Sequence, residues 1–282
     1  MENPKTNRSP TMTIEINQDT RARFDGIIRL YGTRAVSTLQ KSHVLIIGIG
    51  GVGSWVAEAL ARSAVGNITL MDLDDVCISN TNRQLHATQQ SIGQPKVDVM
   101  AERLLQINPQ INVNTIHDFI DGDNVEEYIT QNFTLVIDAI DAVMVKTKLI
   151  NFCKWKKIPV ITVGSAGGKR DPQKIVSSDL SKTKNDPLLS KVRNNLRRLH
   201  RFSRNPKQRF AITAVYSTEQ MTYPDDAGET CTSKAFMTEG ARLDCSQGFG
   251  AATMVTGTFA FVAASEAIKK LLKKAQTNNQ LV

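Results

Sequence analysis

The 282-residue sequence lacks the patterns that mark several common protein classes. Its four cysteines are scattered and form no Cys-x-x-Cys pair, so zinc-ribbon spacing is absent and we expect no zinc. Its four histidines show no metal-ligand spacing. The polar N-terminus has no apolar core of the signal-peptide type, and we expect residues 1–20 to be disordered. The low cysteine density is typical of the reducing cytoplasm, where we expect the protein to be found.

Long apolar runs are also scarce. The most apolar segment, residues 249–264, carries three threonines and is shorter than the roughly 20 residues that a membrane-spanning helix needs. We therefore expect a helix buried in the core or at a subunit interface, and no membrane span.

A glycine-rich turn is the most informative feature that is present. Residues 44–47 are four β-favouring apolar residues, typical of a strand buried on both faces. Gly48, Gly50 and Gly53 follow with dinucleotide-fold spacing, and Gly51 lies in the same turn. A helix begins there, and phosphate would meet the unpaired N–H groups at its N-terminus. The turn predicts nucleotide binding but does not choose the nucleotide.

Strands and helices alternate over the first half of the chain. We predict strands at 43–47, 67–72, 111–116, 133–139 and 160–163, and helices at 53–64, 96–108, 125–131 and 146–155. This order predicts an α/β fold with a doubly wound, mainly parallel Rossmann-like sheet and helices on both faces. Residues 21–175, which begin with a helical lead-in at 21–40, form the predicted ATP-binding core. Residues 176–282 are predicted to continue the same fold as a C-terminal elaboration, with a strand at 210–223 and a helix at 250–274.

Polar residues after the second strand narrow the choice of nucleotide. Asp72 ends that strand, where a carboxylate binds ribose hydroxyls, and this arrangement suits NAD as well as ATP. Arg83 and Lys96 then supply cations that a triphosphate needs and a dehydrogenase does not. Asp141 follows a buried strand and could hold Mg²⁺ together with phosphates.

Five motifs in this region resemble those of the ubiquitin-activating-enzyme superfamily, which includes ThiF, MoeB and HesA. They are Gly48-x-Gly-Gly-x-Gly53, Asp72-Leu-Asp74, Ser79-Asn80-x-x-Arg83-Gln84, Gly93-Gln-Pro-Lys96 and Asp138-x-x-Asp141. In that superfamily a substrate carboxylate attacks the α-phosphate of ATP to give an acyl adenylate. The resemblance implies that Arg83, Lys96 and Asp141 are catalytic and that Asp141 holds Mg²⁺. It implies ATP binding by Gly48, Gly50, Gly51, Gly53, Asp72, Asp74, Asn80, Arg83, Gln84 and Lys96.

The second half is similar to one branch of the superfamily, the dehydratases that act on threonylcarbamoyladenosine in tRNA. Residues 223–231 and 244–255 carry this likeness. It implies an ATP-dependent tRNA-modifying enzyme that adenylates the threonyl carboxylate beside the anticodon and closes a ring with loss of water. It also implies a homodimer and a link to a cysteine desulfurase or sulfur-acceptor system. One departure is Gly26, which stands where some relatives place an arginine that reaches the neighbouring subunit's ATP.

A basic segment supports a nucleic-acid partner. Residues 182–209 hold ten lysines and arginines against one acid, and the whole chain carries a net charge of +8. Lysine and arginine would bind tRNA phosphates without reading sequence, although a solvated helix face explains the same pattern. The candidates for tRNA contact are Lys191, Arg193, Arg197, Arg198, Arg201 and Arg204.

Three other functions stay open at this stage. An adenylyltransferase that activates the C-terminus of a ubiquitin-like sulfur carrier shares the motifs, but such enzymes usually carry the Cys-x-x-Cys pairs that this chain lacks. An NAD-dependent oxidoreductase would use the glycine turn and Asp72 without Arg83. A nucleotide sensor would bind ATP without turnover.

Overall fold

The computed structural model describes residues 16–129, 132–224, 229–231 and 249–279. Most of the expected disordered N-terminus and most of the motif residues between 225 and 248 lie outside these ranges. The first helix nevertheless begins at Gln18, inside the segment expected to be disordered.

Seven strands form the main sheet, and a short hairpin forms a second one. The strands are β1 (His43–Ile47), β2 (Asn67–Met71), β3 (Asn112–Ile116), β4 (Leu135–Asp138), β5 (Val160–Val163), β6 (Ile175–Asp179) and β7 (Thr213–Ser217), with β8 (Tyr223–Pro224) and β9 (Thr230–Cys231) in the hairpin. The helices are α1 (Gln18–Tyr31), α2 (Thr33–Lys41), α3 (Gly53–Ala61), α4 (Lys96–Ile107), α5 (Val125–Tyr128), α6 (Val143–Trp155), α7 (Pro187–Leu199) and α8 (Thr253–Asn279).

The strand order of the main sheet is β3-β2-β1-β4-β5-β7-β6. Every neighbouring pair is parallel except β6 and β7, which are antiparallel. The chain runs outward in one direction from β1 to β3 and returns to β4 on the other side of β1. This reversal is a topological switch point, where doubly wound sheets bind ligands. The predicted fold class is confirmed.

The first strand shows why the sheet is buried on both faces. Val44 and Ile46 pack in the apolar layer with α3, α4 and α8, whereas Leu45 and Ile47 pack in the opposite layer with α6 and α7. Successive side chains point to opposite faces of a strand, so an unbroken apolar run needs cover on both sides. The predicted helix at 249–264 belongs to α8 and packs against α3 in the first layer. In the described part of the chain, no helix is long and apolar enough to cross a membrane.

The second half differs from the sequence prediction in its strands. The predicted strand at 210–223 is shorter, because Ala211 has a φ of 60° and the regular strand starts only at Thr213. Strand β6 was not predicted, since it lies at the sheet edge and its residues Val176 and Ser177 are both exposed. Without a buried run or a regular apolar alternation, such a strand has no periodic signal.

Candidate functional site

A cavity of about 980 Å³ lies at the carboxyl ends of the central strands, at the switch point between β1 and β4. We call it the nucleotide cavity. Nearly all the residues predicted to bind ATP or metal line it: Gly48, Gly50, Gly51, Asp72, Asp74, Asn80, Arg83, Gln84, Lys96 and Asp141. Gly53 belongs to the same loop but is not part of the cavity wall.

The glycine turn is held in a shape that side chains would prevent. Gly48 has a φ of 87°, and a Cβ there would lie 3.0 Å from the carbonyl oxygen of Ala139. At Gly53 a Cβ would lie 1.8 Å from the carbonyl oxygen of Gly48, inside the van der Waals contact distance. Gly53 therefore lets the first turn of α3 close onto the end of β1, and Gly48, Gly50 and Gly51 of the loop line the cavity.

Asp72 fixes this loop to the second strand. Its Oδ2 accepts a hydrogen bond from the Ile49 amide at 2.6 Å, and its Oδ1 accepts one from the Asp74 amide at 2.9 Å. Burial raises the pKa of the Asp72 carboxyl, while the Lys96 charge and the two amides oppose that rise. The carboxylate thus both orders the glycine turn and stands at the position expected for ribose recognition.

Lys96 lies between two carboxylates at the cavity floor. Its Nζ is 2.6 Å from Asp74 Oδ2 and 3.9 Å from Asp72 Oδ1, and its side chain is only 6% exposed. The Asp74 side chain is more than half exposed. A phosphate that enters the cavity can therefore replace Asp74 at the Lys96 ammonium without leaving that carboxylate buried and unpaired.

The segment after Asp74 carries the other predicted phosphate ligands. Asn80 uses its Oδ1 to accept from the Cys77 amide at 2.9 Å, and this bond closes a short 3₁₀ turn. The Arg83 guanidinium donates to the Ser79 carbonyl at 2.8 Å. The Arg83 carbonyl accepts from Trp55 Nε1 at 3.2 Å, which anchors this segment to α3.

Two buried side chains in this segment carry polar atoms that have no hydrogen-bond partner among the described residues. Gln84 lines the cavity, but its Oε1 is buried and has no hydrogen-bond partner among the described residues. His86 is 2% exposed, and neither ring nitrogen has a partner in the described part of the chain. Burial, with a smaller effect from Lys96, lowers the pKa of His86 to about 4, so its ring is neutral at pH 7. The histidines show no metal-ligand spacing, and no sequence pattern identifies a buried histidine that lacks a hydrogen-bond partner.

A buried ion pair supports the far side of the cavity. Asp138 at the end of β4 lies 2.7 Å from the Nζ of Lys146 in α6, and Thr162 of β5 donates to the same carboxylate at 2.7 Å. Both charged side chains are fully buried. Asp141, exposed and cavity-lining, lies between them in sequence, so this pair fixes the turn that carries it. Lys146 was not predicted as a site residue. The only sequence signal is that a lysine stands in the apolar stretch of α6.

Asp186 connects the cavity wall to α7. Its Oδ1 accepts from the Leu189 amide at 2.9 Å, which caps the helix at the predicted Asp-Pro start. Its Oδ2 accepts from the Ser165 amide, also at 2.9 Å. Ser165 and Leu188 both line the nucleotide cavity. The N-terminus of the basic helix is therefore fixed to the cavity by one buried carboxylate.

The six basic residues predicted to contact tRNA do not share one environment. Arg193 is half-buried and donates to the Thr183 hydroxyl, which braces α7 against the preceding loop. The other five are at or near the surface: Lys191, Arg197, Arg198, Arg201 and Arg204. Arg197, Arg198 and Arg204, together with Asn194, line a second cavity of about 370 Å³. Arg193 is pulled inward because it follows Val192 at the edge of the helix's apolar stripe.

The donor set fits a metal that arrives with a nucleotide. Among the described residues, no group of three or more histidine, cysteine, aspartate or glutamate side chains could hold a metal ion. Mg²⁺ commonly takes one or two carboxylates and completes its shell with substrate phosphates and water. Asp141 at the cavity edge suits that role.

This fold and cavity define a nucleotide-binding protein of the doubly wound α/β class. Residues 25–282 match the model of the ThiF family, and the chain belongs to that family.

Curated relatives match nearly the whole chain. It is 48% identical over 264 residues to the tRNA threonylcarbamoyladenosine dehydratase of Escherichia coli, covering 94% of this chain and 98% of that protein. It is 52% identical over 252 residues to the enzyme of the same name from Haemophilus influenzae, covering 89% and 94%. The crystal structure of the E. coli dehydratase in complex with ATP matches with a TM-score of 0.81 at 45% identity, covering 94% of this chain and 99% of that one.

Replacement of Gly53 by alanine should prevent the glycine turn from closing. The added Cβ would meet the Gly48 carbonyl, which is backbone and cannot move aside cheaply. We expect a loss of several kcal/mol in the free energy of unfolding, as for other severe steric conflicts, and loss of ATP binding. Urea unfolding and calorimetry with ATP measure both. Gly26→Ala in α1 is the matched control, because its Cβ would meet nothing within 4 Å, and it should fold normally. Wild-type stability and affinity in Gly53→Ala would contradict this account of the turn.

Replacement of Asp186 by asparagine should lower the free energy of unfolding by more than a change of helix cap alone would. Asparagine caps helices well, but its single oxygen cannot accept from both Leu189 and Ser165, so one buried amide loses its partner. We expect a loss of about 1–3 kcal/mol in urea unfolding. The matched control is Asp171→Asn, an Asp-Pro cap that accepts from the Gln173 amide and otherwise makes only an exposed ion pair with Lys174, and it should change stability by less than about 0.5 kcal/mol. Equal effects of the two substitutions would argue against the link to the cavity.

Proposed function

We propose that this protein is an ATP-dependent enzyme that dehydrates threonylcarbamoyladenosine in tRNA, next to the anticodon. It activates the threonyl carboxylate by adenylation and closes a ring within the same nucleoside. The observation that carries the proposal is the nucleotide cavity, where the glycine turn, Asp72, Arg83, Lys96 and Asp141 meet in a chain of the ThiF family.

The ribose and the phosphates of ATP have fitting partners in this cavity. Asp72 and Asp74 stand where ribose hydroxyls are recognised, and the glycine turn offers backbone amides to phosphate. Lys96, Arg83 and Asn80 follow on the same side and would neutralise and orient the triphosphate. Gln84 lines the same cavity and would contact the nucleotide. Asp141 would hold Mg²⁺, which supplies further charge neutralisation when bound.

The reaction proceeds in two transfers. A carboxylate oxygen of the threonyl group attacks the α-phosphorus of ATP, and the bond to the β-phosphate oxygen breaks to release pyrophosphate. A nucleophile of the same nucleoside then attacks the acyl carbon, loses its proton, and AMP leaves with the former carboxylate oxygen. The nucleoside loses the elements of water. Because the second step is intramolecular, proximity gives the advantage that a thioester on the enzyme would otherwise provide.

The remaining expectations form part of the same proposal. The exposed cations of α7 and the following loop would bind tRNA phosphates. A homodimer would cover the α8 side chains Met254 and Phe261, which are 67% and 53% exposed and lie two turns apart on the helix. Residues 21–175 and 176–282 would act as one folded unit. The family resemblance adds a sulfur-acceptor or cysteine desulfurase partner and a cytoplasmic location.

The reaction is tested by incubating the protein with Mg-ATP and tRNA that carries threonylcarbamoyladenosine. Mass analysis of the nucleosides should show loss of one water, with AMP and pyrophosphate as products. Asp141→Asn and Arg83→Ala should each lower turnover by about 100-fold or more, because they remove charge stabilisation at the phosphates. Asp123→Asn removes a fully exposed carboxylate and serves as the control that keeps activity.

Other outcomes would favour the alternatives. Exchange of pyrophosphate into ATP that depends on the C-terminal glycine of a carrier protein, and not on tRNA, would identify a sulfur-carrier adenylyltransferase. Nicotinamide binding that Arg83→Ala leaves intact would indicate an oxidoreductase. ATP binding by active protein with an unchanged tRNA mass would refute the dehydratase.

A further inference from the structure

The second cavity, at the C-terminal end of α7, has a lining unlike that of an ordinary solvated helix. Its lining residues are Asn194, Arg197, Arg198 and Arg204. We call it the arginine cavity. Three guanidinium groups around a concavity of about 370 Å³ form a site for an anion with several oxygen acceptors.

The helix and the loop after it build this cavity together. Asn194, Arg197 and Arg198 are spaced i, i+3 and i+4, so they share one face of α7, and Arg204 comes from the loop. The apolar stripe of Leu189, Val192 and Leu196 is buried on the other side of the helix. The helix therefore cannot turn these side chains away from solvent without exposing its core face.

Arg197 is oriented before any ligand binds. Its guanidinium carbon lies 5.5 Å from the centre of the Phe210 ring, and its Nε donates to the Ser203 carbonyl at 3.4 Å. Arginine that is stacked and singly hydrogen-bonded loses little further freedom when it binds phosphate with its terminal nitrogens. The neighbouring Arg198 donates to Asn195 at 3.3 Å, within the same helix.

The basic segment itself supplies no negative charge at this end of the helix, and the nearby Asp179 uses both carboxylate oxygens to accept from the Phe210 and Ala211 amides. Residues 187–209 contain no aspartate or glutamate. The one acid of the basic segment, Asp186, lies at the opposite end of α7, buried and hydrogen-bonded to two amides. Three like charges in one concavity repel each other, and an anion relieves that repulsion.

The position of α7 relates this cavity to the nucleotide cavity. Leu188 at the start of the helix lines the nucleotide cavity, and Arg197 lines the arginine cavity. With a rise of 1.5 Å per residue, their backbones are about 14 Å apart along the helix. A stacked nucleic-acid strand advances about 3.4 Å per nucleotide, so about four nucleotides cover this distance.

We propose that the arginine cavity binds a backbone phosphate of the RNA strand whose modified adenosine occupies the nucleotide cavity, within about four nucleotides of that base. The inference rests on the proposed function and adds the spacing along the RNA strand between the bound phosphate and the modified base. Arg197, Arg198 and Arg204 then act on the RNA and not on ATP. Arg193, which is bonded to Thr183, and the outlying Lys191 and Arg201 are not members of this site.

The test compares two double variants with equal loss of charge. Arg197→Gln with Arg204→Gln removes two cations of the arginine cavity. Lys41→Gln with Lys269→Gln removes two exposed cations from α2 and α8, which pack against the face of the sheet opposite to α7. Each variant is assayed with full-length modified tRNA and with the free modified nucleoside, over a range of salt concentrations, and urea unfolding and ATP calorimetry check its fold.

We expect the arginine double variant to raise KM for tRNA by at least about 10-fold and to reduce the salt slope by about 0.7, the value for one lost phosphate contact on a single strand. Its ATP affinity, its kcat and its activity on the free nucleoside should match those of the wild type. The lysine double variant should match the wild type in every assay.

The outcomes distinguish failure of the proposed function from failure of the arginine cavity as an RNA site. If the wild-type protein converts neither substrate, the proposed function fails. If it converts tRNA normally and the arginine variant has an unchanged KM and salt slope, the arginine cavity is not an RNA site. If the arginine variant loses activity equally on nucleoside and tRNA, the residues act through the fold, and the inference is also overturned. Inorganic phosphate that binds the cavity without competing with tRNA would indicate an adventitious ion only.

Discussion

The buried carboxylate of Asp72 is the interaction on which the geometry of the site depends. It accepts from Ile49 in the glycine turn and from Asp74 at the start of the next segment, and it lies beside the ammonium of Lys96. One side chain therefore sets the positions of the turn, the second strand's end and the cation that we propose binds phosphate. A buried carboxylate is costly unless amides and a cation compensate it, so the three partners and Asp72 require each other.

The same principle applies on the other side of the cavity. Asp138 with Lys146, and Asp186 with two backbone amides, are buried charges that hold a strand end, a helix start and the loop at Ser165. Replacement of buried ion pairs by apolar residues is often neutral or stabilising in proteins, so stability alone is a weak reason to have them. Their common effect here is to hold loops at a sheet edge, where a ligand needs fixed partners.

The sequence predicted the part of the molecule that has strong periodic or positional signals. Apolar runs typical of strands buried on both faces predicted β1, β4 and β5, and the spacing of glycine and charged residues predicted the common site to which Asp72, Lys96 and Asp141 belong. The edge strand β6 was not predicted, because its exposed residues show no periodic apolar pattern. Three other features were not predicted: Lys146, His86 and the hydrogen bond between Ser165 and Asp186. Their roles depend on which segments meet in space.

Helix α7 links the nucleotide cavity to the arginine cavity. Its N-terminus is fixed to the nucleotide cavity through Asp186, and its arginines lie toward the other end, so a long polyanion could contact both while a free nucleoside could reach only one. This arrangement suits chemistry on a single base of a large RNA. The adenylation step itself is independent of how the RNA is held, and it is the central claim of the account.

The fate of one oxygen atom tests that claim most directly. When the threonyl carboxylate of the tRNA substrate is labelled with heavy oxygen, attack on the α-phosphorus and departure of AMP should transfer one labelled oxygen to the phosphate of AMP. Mass spectrometry of the AMP product reads this out. Labelled AMP in proportion to ring closure is the predicted result. Unlabelled AMP, or release of ADP with labelled phosphate, would contradict adenylation of the carboxylate.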